Sequence, residues 1–119
     1  MNVSSIAGTA GGPLLAAYCA SKGAVIRFTE SAAIELRQAG IRVNAVCPGL
    51  IQTEMADRLA APIEAISPIP FDELIALKQG RLGTTTEVAE TVAFLASEDA
   101  RFVNGAHYLV DGGLTANLF

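Results

Sequence analysis

Along the chain, apolar and polar positions fall into short alternating or continuous apolar runs separated by longer helical stretches. Asn2-Val3-Ser4-Ser5-Ile6 reads as the end of a strand. The segment Ala7-Gly8-Thr9-Ala10-Gly11-Gly12-Pro13 is read as a loop, because three glycines and a proline oppose regular structure. From about Leu15 to Ala39, Ala17, Ala20, Ala24, Phe28, Ala32 and Leu36 recur at three- or four-residue steps, which predicts a long helix ended by Gly40. Ile41-Arg42-Val43-Asn44-Ala45-Val46-Cys47 predicts a strand, closed by the turn Pro48-Gly49. Thr53 is placed to cap a short helix running through Leu59.

The next stretch, Ala61 to Gly83, contains Pro62, Pro68 and Pro70 and predicts loops with one short helix around Asp72 to Gln79. Thr84-Thr85-Thr86-Glu87 has the spacing of a capping box, and Val88, Val92, Leu95 and Ala96 supply the apolar face of the helix it opens. Asp99 to Gly105 connects to a last strand, Ala106 to Val110, ended by Asp111-Gly112-Gly113. Strands alternating with helices predict an α/β layer fold with a parallel sheet.

Composition narrows the class. Half of the 119 residues are apolar (51%), 17% are charged, and the mean hydropathy is +0.42. So apolar a chain is not disordered. It has no uninterrupted run of the length a membrane span needs, and no secretory leader is visible. The net charge of -4 argues against a general nucleic-acid binder. Cys19 and Cys47 do not make a disulfide framework, and the single histidine, His107, leaves no His-rich metal site. A cytoplasmic, reducing location is expected. The apolar excess fits a sheet covered on both faces, surface that meets partners, or both.

Few residues carry candidate chemistry. Tyr18 and Lys22 stand four apart on the long helix and so share one face. A neighbouring ammonium favours a phenolate, and such a tyrosine exchanges protons near neutral pH. The plainer reading is a tyrosine at a surface boundary beside a solvated lysine. Ser5 lies thirteen residues before Tyr18, at a strand end, where ligands gather in parallel sheets. Ser4 is expected to point to the other side of that strand.

Asn2-Val3-Ser4-Ser5, Tyr18-x-x-x-Lys22, Asn44-Ala45-Val46-Cys47-Pro48-Gly49 with Thr53, and Val110-Asp111-Gly112-Gly113 occur in this order. With these motifs, almost the entire chain resembles the short-chain dehydrogenase/reductase family. The resemblance implies a Rossmann-type doubly wound parallel sheet of which only the C-terminal strands and helices are present. It implies reversible NAD(P)-dependent hydride transfer between an alcohol and a carbonyl. Tyr18 is then the acid/base, Lys22 lowers its pKa and holds the nicotinamide ribose, and Ser5 positions the substrate oxygen. Pro48 and Gly49 form the turn that admits the nicotinamide, Ile51 meets its carboxamide through the backbone, and Thr53 contacts the cofactor through its hydroxyl. No catalytic role is carried onto Asn44, which is read as satisfying backbone groups.

Residues 50-83 resemble the family's variable substrate-binding loop. Met55, Leu59, Ile63, Ile66 and Phe71 either line an apolar pocket there or are ordinary packing. Family members are about twice this length. The glycine-rich pyrophosphate turn and the residue that selects NAD or NADP have no counterpart here, so residues 1-119 correspond to the carboxyl-terminal half of a single Rossmann-type domain. By itself such a half is expected to be inactive. The rival reading is a truncated chain without catalysis, or a non-catalytic subunit of an oligomer. The expected partners are a small alcohol or ketone and further copies of the chain, as a homodimer through the long helix or a homotetramer through the strand near Val110.

Overall fold

The computed structural model describes residues 1–117. Three short strands form one parallel sheet in the order β1-β2-β3: Asn2–Val3 (β1), Ala45–Pro48 (β2) and His107–Val110 (β3). The register pairs Asn2 with Ala45, Val46 with Tyr108, and Pro48 with Val110. Ala45, Val46 and Cys47 are completely buried, as a central strand covered on both faces must be. Among the described residues β1 has no partner on its outer edge, and Val3 is 57% exposed.

The expected strand over 41–47 begins later than its alternation suggests. On the β3 side, side chains take the place of ladder bonds: Val43 N donates to Asn104 Oδ1 at 2.8 Å and Ala106 N to Asn44 Oδ1. Arg42 Nη1 donates to Leu95 O (2.8 Å) and Val103 O (3.2 Å), and Nη2 to Ser97 O (3.0 Å). Asn44, 1% exposed, donates to Val103 O at 2.8 Å and accepts from Ala106 N at 2.9 Å. Backbone satisfaction, the role read for it, accounts for its burial.

The long helix is Ala16–Glu35 (α1), followed by a 3₁₀ turn, Arg37–Ala39, and closed by Gly40 at φ +73°. That left-handed conformation favours glycine, which fits the C-terminal role expected of it. Its buried residues are Ile26, Thr29, Ala32 and Ala33. The apolar stripe that predicted the helix is a different face: Ala17, Ala20, Ala24 and Phe28 are exposed, Phe28 at 64%, and only Ala32 belongs to both. Burying a side chain the size of Ile26 contributes about 1.5–3 kcal/mol.

Helices Glu54–Glu64 (α2) and Phe71–Lys78 (α3) form a lobe after β2. Helix α2 runs five residues past its expected end and contains Pro62, so the proline does not stop it. Helix Thr85–Ala96 (α4) starts with the expected capping box, in which Glu87 N donates to Thr84 Oγ1 (3.2 Å) and Thr84 N to Glu87 Oε2 (2.8 Å). Leu95 is buried with Val46 and Ala100, and Val88, Val92 and Val103 pack around them. Ala96, expected on that apolar face, is exposed. The presumed loop after β1 contains a 3₁₀ turn, Ile6–Gly8, which Ser5 caps.

Candidate active site

Ligand sites in parallel sheets form beyond the carboxyl ends of the strands. Here three segments leave those ends side by side. Ser4 and Ser5 follow β1, Gly49 to Ile51 follow β2, and Asp111 to Gly113 follow β3. Ser4 N donates to Val46 O at 2.8 Å, and Gly49 N to Val110 O at 3.0 Å, so the ladder carries adjacent backbones to the same level.

Helix α1 returns to the end of β1 and is fastened there at Lys22. The Ser4 hydroxyl donates to Lys22 O at 2.8 Å, and Lys22 Nζ donates to Val3 O at 3.2 Å. The ammonium lies 5.7 Å from the centre of the Tyr18 ring. The two side chains therefore do share a face, at the end of β1, and both are half-buried. Close packing needs Gly8, since a Cβ there would lie 2.7 Å from Ser4 Oγ and 2.8 Å from Lys22 O.

Ser5 and Ser4 do diverge. Ser4 is buried and its hydrogen is committed to α1. Ser5 is partly exposed, and its Oγ accepts from Ala7 N at 3.1 Å. Acceptance fixes the oxygen and leaves the hydroxyl hydrogen for an outside acceptor. Cys47 lies behind them, and its thiol pKa is pushed up by burial, against smaller lowering from the Ser4 side chain and the Ser5 backbone. Its burial fits the small-hydrophobe role read for it.

Ile51 forms an isolated parallel bridge with Gly83. Gly83 N donates to Leu50 O (3.0 Å) and Gln52 N donates to Gly83 O (2.8 Å). In a parallel pairing the residue between two such bonds turns its own N–H and C=O away from the partner. The Ile51 N–H has no acceptor among the described residues, and its C=O receives Thr53 Oγ1 at 3.2 Å. Thr53 occupies the cap position of α2 but makes no side-chain capping bond, contrary to the cap expected; its hydroxyl reaches back to Ile51 instead.

Within the lobe, Phe71 is buried at 6% and belongs to packing, whereas Met55 (54%) and Ile66 (52%) remain exposed. Away from Tyr18, a shallow groove of about 530 Å³ runs along α4 and β3 beside Phe94, Tyr108 and Leu109.

The family model described as enoyl-(acyl carrier protein) reductase matches residues 1–115. The chain belongs to the short-chain dehydrogenase/reductase family. A relative, 2-(S)-hydroxypropyl-CoM dehydrogenase 3 of Xanthobacter autotrophicus, is 43% identical over 117 residues, which are 98% of this chain and 46% of that protein. An actinorhodin polyketide ketoreductase variant solved with NADPH superposes with a TM-score of 0.90 at 37% identity, over 98% of this chain and 46% of that one. A 4-hydroxyisoleucine dehydrogenase complexed with NADH gives 0.83 at 33% identity, over the same shares. The chain spans about half the length of the curated relatives it matches. The α/β fold with its parallel sheet is thus that of the Rossmann-type members of this family. Ser4 and Asp111 stood in the quoted motifs without an assigned role, and nothing in the sequence pointed to Gln79. The signal of Ser4 and Gln79 is spatial, since they bond backbone atoms of α1 and of the turn after β2, whereas Asp111 accepts from Gly113 N and Thr115 N of its own turn.

Proposed function

We propose that the protein is an NAD(P)-dependent oxidoreductase that interconverts a small secondary alcohol and its carbonyl compound. The observation that carries this reading is the fastening of the Tyr18–Lys22 turn to the end of β1, at 2.8 Å and 3.2 Å, with the ammonium 5.7 Å from the ring. A loose surface pair would have no such anchorage.

The donor set fits a nicotinamide nucleoside. Lys22 spends one hydrogen on Val3 O and retains two for ribose hydroxyl oxygens. The outward N–H of Ile51 suits a carboxamide carbonyl, and the Pro48-Gly49 turn, packed against Gln79 and Asp111, carries that N–H to the strand ends. Thr53 offers a hydroxyl beside it. These contacts serve the nicotinamide end, common to NAD and NADP, and complexes of both kinds occur among the structural neighbours. Bound nicotinamide supplies or takes up the hydride.

In reduction, Ser5 donates its free hydrogen to the substrate carbonyl oxygen and holds it beside Tyr18. Tyr18 gives its phenolic proton to that oxygen as negative charge develops there. In oxidation Tyr18 takes the proton back. The Lys22 ammonium stabilises the negative charge left on the Tyr18 oxygen. Residues 50–83 form the substrate-facing lobe, with Met55 and Ile66 as available apolar contacts. The protein acts in the reducing cytoplasm as a homodimer or homotetramer, through the exposed face of α1 and the β3 surface.

The test is Tyr18→Phe in the protein at its natural length, assayed with NADH and NADPH against small ketones and with the oxidised cofactors against secondary alcohols. The ring stays and the proton is lost. Turnover is expected to fall about 10²–10⁴-fold with cofactor affinity nearly unchanged. Wild-type turnover in the variant at all pH values would refute the assignment.

A further inference from the structure

Gln79 is 7% exposed and ends α3 at its C-cap. Its amide is engaged at both ends. Oε1 accepts Leu50 N at 2.9 Å, and Nε2 donates to Leu50 O at 2.7 Å and to Arg81 O at 2.8 Å. One primary amide thus serves both backbone groups of Leu50, as a neighbouring strand would. No other described group bonds the Leu50 N–H. The surrounding backbone is fitted to this side chain. A Cβ at Gly49 would lie 2.6 Å from Gln79 Oε1 and 2.9 Å from Asp111 Cα. Gly112, at φ +58°, would place one 2.7 Å from Gln79 O. The turns after β2 and β3 and the exit from the lobe therefore meet at this one residue.

Leu50 O and Ile51 N–H belong to the same planar trans peptide, so they point in opposite directions and turn together. The two bonds received by Leu50 O, from Gln79 Nε2 and Gly83 N, therefore set the direction of the Ile51 N–H.

We propose that Gln79 is a positioning residue for the cofactor: it fixes the Leu50–Ile51 peptide so that the Ile51 N–H faces the nicotinamide, and it makes that geometry depend on the docking of the α2–α3 lobe. This rests on the oxidoreductase reading above. Gln79 touches neither substrate nor cofactor and acts through the turn.

Two variants test it at the protein's natural length, with kcat, cofactor KM and Leu50 amide exchange as readouts. Gln79→Leu keeps the volume and removes all three bonds. Leu50 exchange is expected to accelerate, and kcat/KM for the cofactor to fall roughly 10–100-fold, the scale of a small misplacement at a reacting centre. Gln79→Glu retains the acceptor for Leu50 N–H and, when ionised, loses both donors. Protonation restores one donor, so its rate relative to wild type is expected to rise as pH falls. If the folded variants keep wild-type kcat and cofactor KM with a lower Tm and a flat pH ratio, Gln79 is only structural and the proposal is overturned. An unsubstituted protein without any NAD(H)- or NADP(H)-dependent turnover would overturn the functional reading, and this role with it. An active unsubstituted protein with unaltered variants would overturn this role alone.

Discussion

Ser4 donates its hydroxyl hydrogen to the carbonyl of Lys22 at 2.8 Å, joining two residues eighteen apart in sequence. The bond locks α1 at the height where Lys22 Nζ reaches Val3 O. Tyr18, one turn earlier on the same face, is carried to the strand end with it. The placement of the candidate acid/base thus depends on a serine that has no part in the chemistry.

That dependence makes Gly8→Ala a probe of the site. The added methyl would stand within 3 Å of Ser4 Oγ, Lys22 O and Ile26 Cδ1, two of them held by the bond itself. Helix α1 must move away from β1. Stability is expected to fall about 1–3 kcal/mol, as for overpacked cores, and turnover to fall with it in the protein that remains folded. Chemical denaturation and steady-state kinetics on the same preparation check both.

Asn44→Ala is expected to separate stability from activity. It removes two bonds to backbone, at 2.8 and 2.9 Å, leaving Ala106 N without its partner and Val103 O with Arg42 alone. A loss of about 1–3 kcal/mol follows from the one unsatisfied N–H. The kcat of the folded fraction should be unchanged. A selective loss of kcat without loss of stability would show that Asn44 has a role in the reaction.

Acid sensitivity should trace to Glu87. The Arg81 guanidinium first, and then the Thr84 backbone N–H, hold its carboxyl at about 2, down from the ordinary 4.5. A carboxyl whose folded pKa is depressed contributes stability that is complete above the unfolded value and is lost as pH falls through the folded one. Wild type should therefore lose Tm between pH 4.5 and about 2. Glu87→Gln should start with a lower Tm at neutral pH and fall less over that window. Parallel slopes for the two proteins in thermal melts would exclude Glu87 as the source.

Self-association should involve the exposed face of α1. Phe28 is 64% exposed in a row with Ala17, Ala20 and Ala24, small residues that let another surface approach closely. Phe28→Glu is expected to shift the protein to a smaller species in light scattering after size exclusion, with the secondary structure unchanged. An unaltered oligomer would assign assembly to another face, such as the edge of β1 or the β3 surface.

By itself the sequence determined what is local. Gly40 ended the 3₁₀ turn that follows α1 because a left-handed cap favours glycine, and Thr84 with Glu87 started α4 because the capping box closes within four residues. The order of strands and helices, and the motifs around Ser5, Tyr18, Pro48 and Asp111, were likewise legible. Tertiary structure decided which face of α1 is buried. Apolar residues surround that helix, so periodicity marked the exposed row through Phe28, while contact with the sheet selected Ile26, Thr29 and Ala33. It also decided where β2 begins, because the Asn44 and Asn104 side chains accept backbone N–H groups more than sixty residues away. Gln79 shows the limit most clearly. One glutamine at a helix end has no pattern; its meaning lies in the Leu50 backbone, brought within 2.7 Å by folding alone.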